Sequence, residues 1–112
     1  MHYVAGRLGL AVESKPWYDL VSPRGVKYEV KSGMDKVRFW EDQHRSLTAC
    51  NNGRGSAYYV IVQTTKAGGV VAYRKYRPTT ITKAINDAGG WVKSGHERTD
   101  AREKYLDVSE LV

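Results

Sequence analysis

From Ala57 to Val62 the chain reads AYYVIV, an uncharged run inside the longer strand-like stretch SAYYVIVQT of Ser56 to Thr64. Successive side chains of a strand point to opposite faces, so a run this apolar has no face to offer to water and needs cover on both. The stretch is therefore expected to be a central strand of a layered fold. Lys66-Ala67-Gly68-Gly69 supplies turn residues after it, and Val70 to Tyr76 reads as a second strand, antiparallel to the first.

Helical periods supply covering layers. Pro78 and two threonines open a helix in which Ile81, Ala84, Ile85 and Ala88 follow i, i+3, i+4, i+7, and Gly89-Gly90 closes it. Asp35 is a good N-cap for a helix from about Lys36 to Cys50, stopped by Asn51-Asn52-Gly53, residues that accept the left-handed conformation. Val37, Trp40, His44 and Leu47 fall three, four and three apart, with Phe39 beside them, and this stripe is expected to face the sheet. Gln43 shares that side, while His44 and Arg45 are read as helix-surface or phosphate-contacting residues. Residues 3 to 13 carry Val4, Leu8, Ala11 and Val12 at spacings that suit a short amphipathic helix. Residues 91 to 105 show no period and read as an exposed loop or arm. Leu106, Val108, Leu111 and Val112 are expected to dock on the core or on a second copy. At 112 residues, the whole chain (1–112) is expected to form one domain.

The stretch WYDLVSPRGVKYEVKS, Trp17 to Ser32, carries the chemistry. Two strand-like runs flank Ser22-Pro23-Arg24-Gly25, where Pro and Gly supply turn geometry, so a hairpin is expected. In the returning run Val26, Tyr28 and Val30 alternate with Lys27, Glu29 and Lys31, which puts the apolar three on one face and the charged three on the other. Asp19 sits among Trp17, Tyr18, Leu20 and Val21, and a carboxylate in such surroundings needs water, a cation or a donor to meet it. Asp19, Glu29 and the carbonyl of Val30 offer the hard oxygens that Mg2+ prefers, with Lys31 beside them. A site of this composition suits hydrolysis of a phosphodiester.

The remaining charge points the same way. With 18 Lys and Arg against 12 Asp and Glu, the formal charge of +6 favours polyanions. Arg74-Lys75-Tyr76-Arg77 interleaves basic residues with an aromatic, a combination suited to phosphates and base or sugar faces, and Arg45 and Arg54 are further candidates for phosphate contact. Cys50 stands alone, which excludes an internal disulfide or a Cys-rich zinc site and fits a reducing setting. No run approaches the roughly 18 apolar residues of a membrane span, so a soluble, cytoplasmic (intracellular) protein is expected.

Asp19, the tripeptide Glu29-Val30-Lys31 and the ten-residue interval between them resemble the PD-(D/E)XK nuclease superfamily, although Tyr18 stands where that pattern has Pro. The resemblance implies an α/β fold with a restriction-endonuclease-like core, a mixed four- or five-stranded sheet flanked by helices. It implies that Asp19 and Glu29 hold Mg2+, with Mn2+ as a substitute, and that Lys31 assists the attacking water. Gly9-Leu10-Ala11-Val12-Glu13 is similar to the Gly-x-x-x-Glu helix of junction-resolving members, which makes Glu13 a further metal-ligand candidate. Gln43, 12 residues after Lys31, resembles the Gln found in the helix behind the Glu-x-Lys strand in several families, and is expected to reach the cleft. In size the chain resembles the minimal archaeal and phage Holliday junction resolvases. That likeness implies a structure-directed endonuclease acting on nucleic acid, DNA above all, and a homodimer. The alternative is a non-catalytic basic nucleic-acid-binding module in which Asp19 and Glu29 are structural.

Overall fold

The computed structural model describes residues 11–12, 19–53, 56–94 and 101–112. In chain order the elements are β1 (Ala11–Val12), β2 (Leu20–Val21), β3 (Lys27–Gly33), β4 (Lys36–Trp40), α1 (Glu41–Asn52), β5 (Ala57–Thr64), β6 (Val70–Tyr76), α2 (Pro78–Asp87), β7 (Val92–Lys93), β8 (Arg102–Asp107) and a 3-10 turn at Val108–Glu110. They make two sheets. The larger is mixed, in the order β1-β2-β3-β5-β6, with β3 and β5 parallel and the other neighbours antiparallel. A parallel pair needs a crossover, and β4 with α1 provides it. The smaller sheet, β4-β8-β7, is antiparallel.

The β5 strand is buried on both faces, as its composition requires. Tyr59 and Ile61 point into the main core with Phe39, Leu47, Ile81 and Ile85, where Phe39 meets the Tyr59 ring edge-on at 5.1 Å. Val60 and Val62 point the opposite way into a smaller cluster with Leu20, flanked by Tyr28, Val30 and Tyr73. Leu47 is fully enclosed. Leu47→Ala is therefore expected to cost about 2–5 kcal/mol, read as a lower denaturation midpoint at unchanged slope.

Within the described residues the hairpin forms as expected, Leu20 and Val21 pairing with Tyr28 and Lys27, while Trp17 and Tyr18 lie outside them. Ser22 and Gly25 close its turn, with the Gly25 N–H donating to the Ser22 carbonyl at 2.9 Å and Ser22 Oγ accepting from Val26 N–H at 3.0 Å. Gly25 has φ 83°, a conformation that glycine adopts without strain. At the far end of β3 the chain folds back so tightly that a Cβ on Gly33 would lie 2.1 Å from the Lys36 carbonyl oxygen. This close turn brings β4 over the Glu29 and Lys31 face of β3.

Three expectations are corrected. Lys36 to Trp40 is a strand and the helix begins at Glu41, because Val37 and Phe39 alternate inward and pair across to β8. Asp35 is accordingly no N-cap; its carbonyl accepts the Val108 N–H at 2.9 Å. Within residues 91 to 105, Val92–Lys93 and the first part of β8 are paired strands rather than an arm, with Ser94 and Glu103 buried, while residues 95–100 lie outside the described residues. Ala11 and Val12 pair with Val21 and Leu20 instead of ending a helix, since strand pairing outweighs the weak helix propensity of a segment containing Gly6 and Gly9. The rest of that expected helix lies outside the described residues. Leu106, Val108 and Leu111 dock on the chain's own core.

Candidate active site

The hairpin delivers its carboxylates by a local break in pairing. Asp19 N–H donates to the Tyr28 carbonyl at 2.8 Å, while Asp19 Oδ2 accepts the Val30 N–H at 3.1 Å and so takes a position that a backbone carbonyl would fill in a continued ladder. A strand residue presents its N–H and C=O to the same side, so the Val30 carbonyl opens toward Asp19 as well.

Glu29 and Lys31 share the face of β3 that continues into Tyr59 and Ile61 of β5, the face covered by the main core. They are therefore not a solvated charged edge. Glu29 is 6% exposed and its carboxyl is hydrogen-bonded to that of Asp19. Burial first, then that hydrogen bond, push the Glu29 pKa up to about 8, against the pull of Lys31. Lys31 Nζ lies 3.9 Å from Glu29 Oε1 and donates to Gln43 Oε1 at 3.0 Å. Burial lowers its pKa, and the Arg38 guanidinium adds to the lowering, while Glu29, Asp19 and Asp42 oppose it. Gln43 reaches the cleft from the first turn of α1, two residues after the helix begins.

Two carboxyl groups in contact with one carbonyl beside them form a site that favours a hard divalent cation, which would compete with the proton that the raised pKa of Glu29 retains. Among the described residues no three His, Cys, Asp or Glu side chains converge. Glu13 lies outside the described residues.

Behind the carboxylates stands a fixed polar chain. Thr82 Oγ1 donates to the Pro78 carbonyl at 3.1 Å, so it accepts from His44 Nε2 at 2.6 Å; Nδ1 is then the acceptor, and the Tyr59 hydroxyl donates to it at 2.8 Å. His44 is buried, as its place in the inward stripe implies, and does not lie on the helix surface in contact with phosphate; burial lowers its pKa to about 4. It is a neutral support under Tyr59, the direct neighbour of Glu29 across the sheet.

Asp19, Glu29, Val30, Lys31 and Gln43 are thus brought together, whereas Arg74, Lys75, Arg77 and Arg45 lie elsewhere. Arg74 and Lys75 lie on opposite faces of the edge strand β6, Arg74 over the Tyr76 ring and Lys75 over Tyr58. Arg74 is in register with Ile61 and Lys31 but two strand spacings, about 10 Å, from the latter. Arg77 is exposed at the N-cap of α2, and Arg45 is exposed on α1 beside Glu41. Arg54 lies outside the described residues. Arg38, whose charge reaches Lys31, and buried Glu103 were passed over in the sequence; the alternation of Val37 and Phe39 with Arg38 is the signal that would have placed the former.

A family model described as the PD-(D/E)XK nuclease superfamily domain matches residues 2–112. No curated protein matches the chain. Proteins of that superfamily are nucleases that typically use divalent metal ions. A match over nearly the whole chain, on a mixed α/β fold of the corresponding kind, establishes that the chain belongs to the PD-(D/E)XK nuclease superfamily.

Proposed function

We propose that this protein is a Mg2+-dependent endonuclease that hydrolyses phosphodiester bonds in DNA, directed by the shape of its substrate rather than by sequence. The observation that carries this reading is the contact between the Asp19 and Glu29 carboxyls with the Lys31 ammonium beside them. Asp19, Glu29 and the Val30 carbonyl would hold Mg2+, or Mn2+ in its place. The chemistry such an ion supplies when bound is charge stabilisation at phosphoryl oxygens and acidification of water. Lys31 spends one donor on Gln43 Oε1, which fixes the direction of Nζ and leaves its other hydrogens for the attacking water and the phosphate. In the reaction the water oxygen bonds to phosphorus, the bond to one bridging oxygen breaks, and that oxygen leaves with a proton. Arg74, Lys75, Arg77 and Arg45 would hold flanking phosphates of the strand. A branched or duplex substrate offers two strands to two copies of the chain. A lone cysteine fits a cytoplasmic setting.

The test is a panel of linear duplex, single-stranded and four-way-junction DNA, with RNA counterparts, incubated with Mg2+, Mn2+ or EDTA. Cutting that needs the divalent ion, favours branched DNA and disappears in Asp19→Asn is the expected result. Binding without cutting by the wild type on every substrate would leave a non-catalytic nucleic-acid module instead.

A further inference from the structure

The geometry points to Arg38 as a contact for a substrate phosphate at the rim of the cleft, and to Glu103 as the residue that positions it. This rests on the nuclease reading of the site. Arg38 extends from β4 on the face opposite Val37 and Phe39, and its Cζ lies 4.6 Å from the Trp40 ring centroid and 5.9 Å from that of Tyr105. Two aromatic faces thus limit the guanidinium plane. Its polar ties are loose: Nη1 donates to the Tyr105 hydroxyl at 3.4 Å and stops 3.8 Å short of Glu103 Oε2. Glu103 is only 6% exposed, and its enclosed Oε2 accepts no hydrogen bond.

A purely structural pair would close to hydrogen-bonding distance, because a buried carboxylate without donors is costly. Here the carboxylate instead draws the arginine inward as a point charge and leaves Nε and Nη2 uncommitted among the described residues. The side chain stays 38% exposed. A planar fork with two donors uncommitted among the described residues, fixed in direction and close enough for its charge to act on Lys31, suits a phosphate oxygen. Its place on a strand rather than in a loop fits a contact held at constant distance from the carboxylates.

The experiment measures binding of a fluorescent duplex or junction DNA in EDTA at several salt concentrations, and cleavage in Mg2+, for Arg38→Ala, Arg38→Lys, Glu103→Gln and the wild type, with melting temperatures recorded for each. Arg38→Ala is expected to weaken binding or raise KM about tenfold or more and to reduce the slope of log affinity against log salt by about one. Arg38→Lys keeps the charge and should restore the slope but only part of the KM. Glu103→Gln should raise KM at an unchanged or higher melting temperature, which a merely structural carboxylate would not do. Wild-type slope and KM in Arg38→Ala would overturn the proposal, as would effects that track loss of melting temperature alone. If the wild type binds but never cuts, the nuclease reading fails while the salt slope still judges Arg38; if it binds no nucleic acid, both fall.

Discussion

Lys31→Met is expected to slow cleavage by about 10²- to 10³-fold or more with little change in stability. The ammonium stands beside the carboxylates, directed by Gln43 at 3.0 Å and by Glu29 at 3.9 Å, so its loss removes a positioned charge at the point where negative charge grows during displacement at phosphorus. Methionine keeps the apolar stem. Burial already disfavours the charged form of Lys31, and Glu29 retains its proton well above the usual range when no cation is present, so the substitution does not leave Glu29 as a bare charge. Single-turnover cleavage under saturating Mg2+, with a thermal melt of each variant, checks this. A variant that melts like the wild type and cuts like it would remove Lys31 from the mechanism.

The residues that support this prediction were legible because they lie close together in sequence. One hairpin carries Asp19, Glu29, Val30 and Lys31, its turn is written in Ser22-Pro23-Arg24-Gly25, and a period of two fixes which side chains share a face. The unbroken run of β5 and the Ile81 and Ile85 spacing of α2 were equally local signals. What escaped was non-local. Val37 belongs to a strand, yet its spacing to Trp40, His44 and Leu47 imitates a helix, and only pairing with β8, more than sixty residues away, decides the matter. β8 itself, Arg-Glu-Lys-Tyr-Leu-Asp, carries too few apolar residues to announce a strand; it exists because Val37 and Phe39 need an antiparallel neighbour and Leu106 reaches the core. Arg38 and Glu103 went unseen for the same reason, since the two residues meet only after both strands are paired. The helical stripe put His44 on the inward side, but its partners, Tyr59 and Thr82, come from two later elements and gave no local sign that would set this against a surface or phosphate-contacting role.

Glu29→Gln is expected to abolish both the response to Mg2+ and the pH dependence of stability that Glu29 imposes. In the metal-free protein the folded-state pKa of Glu29 is pushed from the usual 4.5 to about 8, so across that interval the folded chain holds a proton that the unfolded chain has released. Stability from this group is complete below about pH 4.5 and is lost as pH rises toward 8. A divalent ion replaces the proton, so added Mg2+ should restore stability at high pH, by about 2.7 kcal/mol at 100 times its Kd, and should bind less tightly as the solution is acidified. Glutamine at this position donates to Asp19 without titrating. Its melting temperature in EDTA should therefore stay level through the window where that of the wild type falls, Mg2+ should leave it unmoved, and cleavage should drop by at least about 10²-fold. Retained Mg2+ stabilisation in Glu29→Gln, or a level wild-type profile in EDTA, would mean that Glu29 holds no proton that a cation displaces. The contact between Asp19 and Glu29 would then serve the hairpin and not the chemistry.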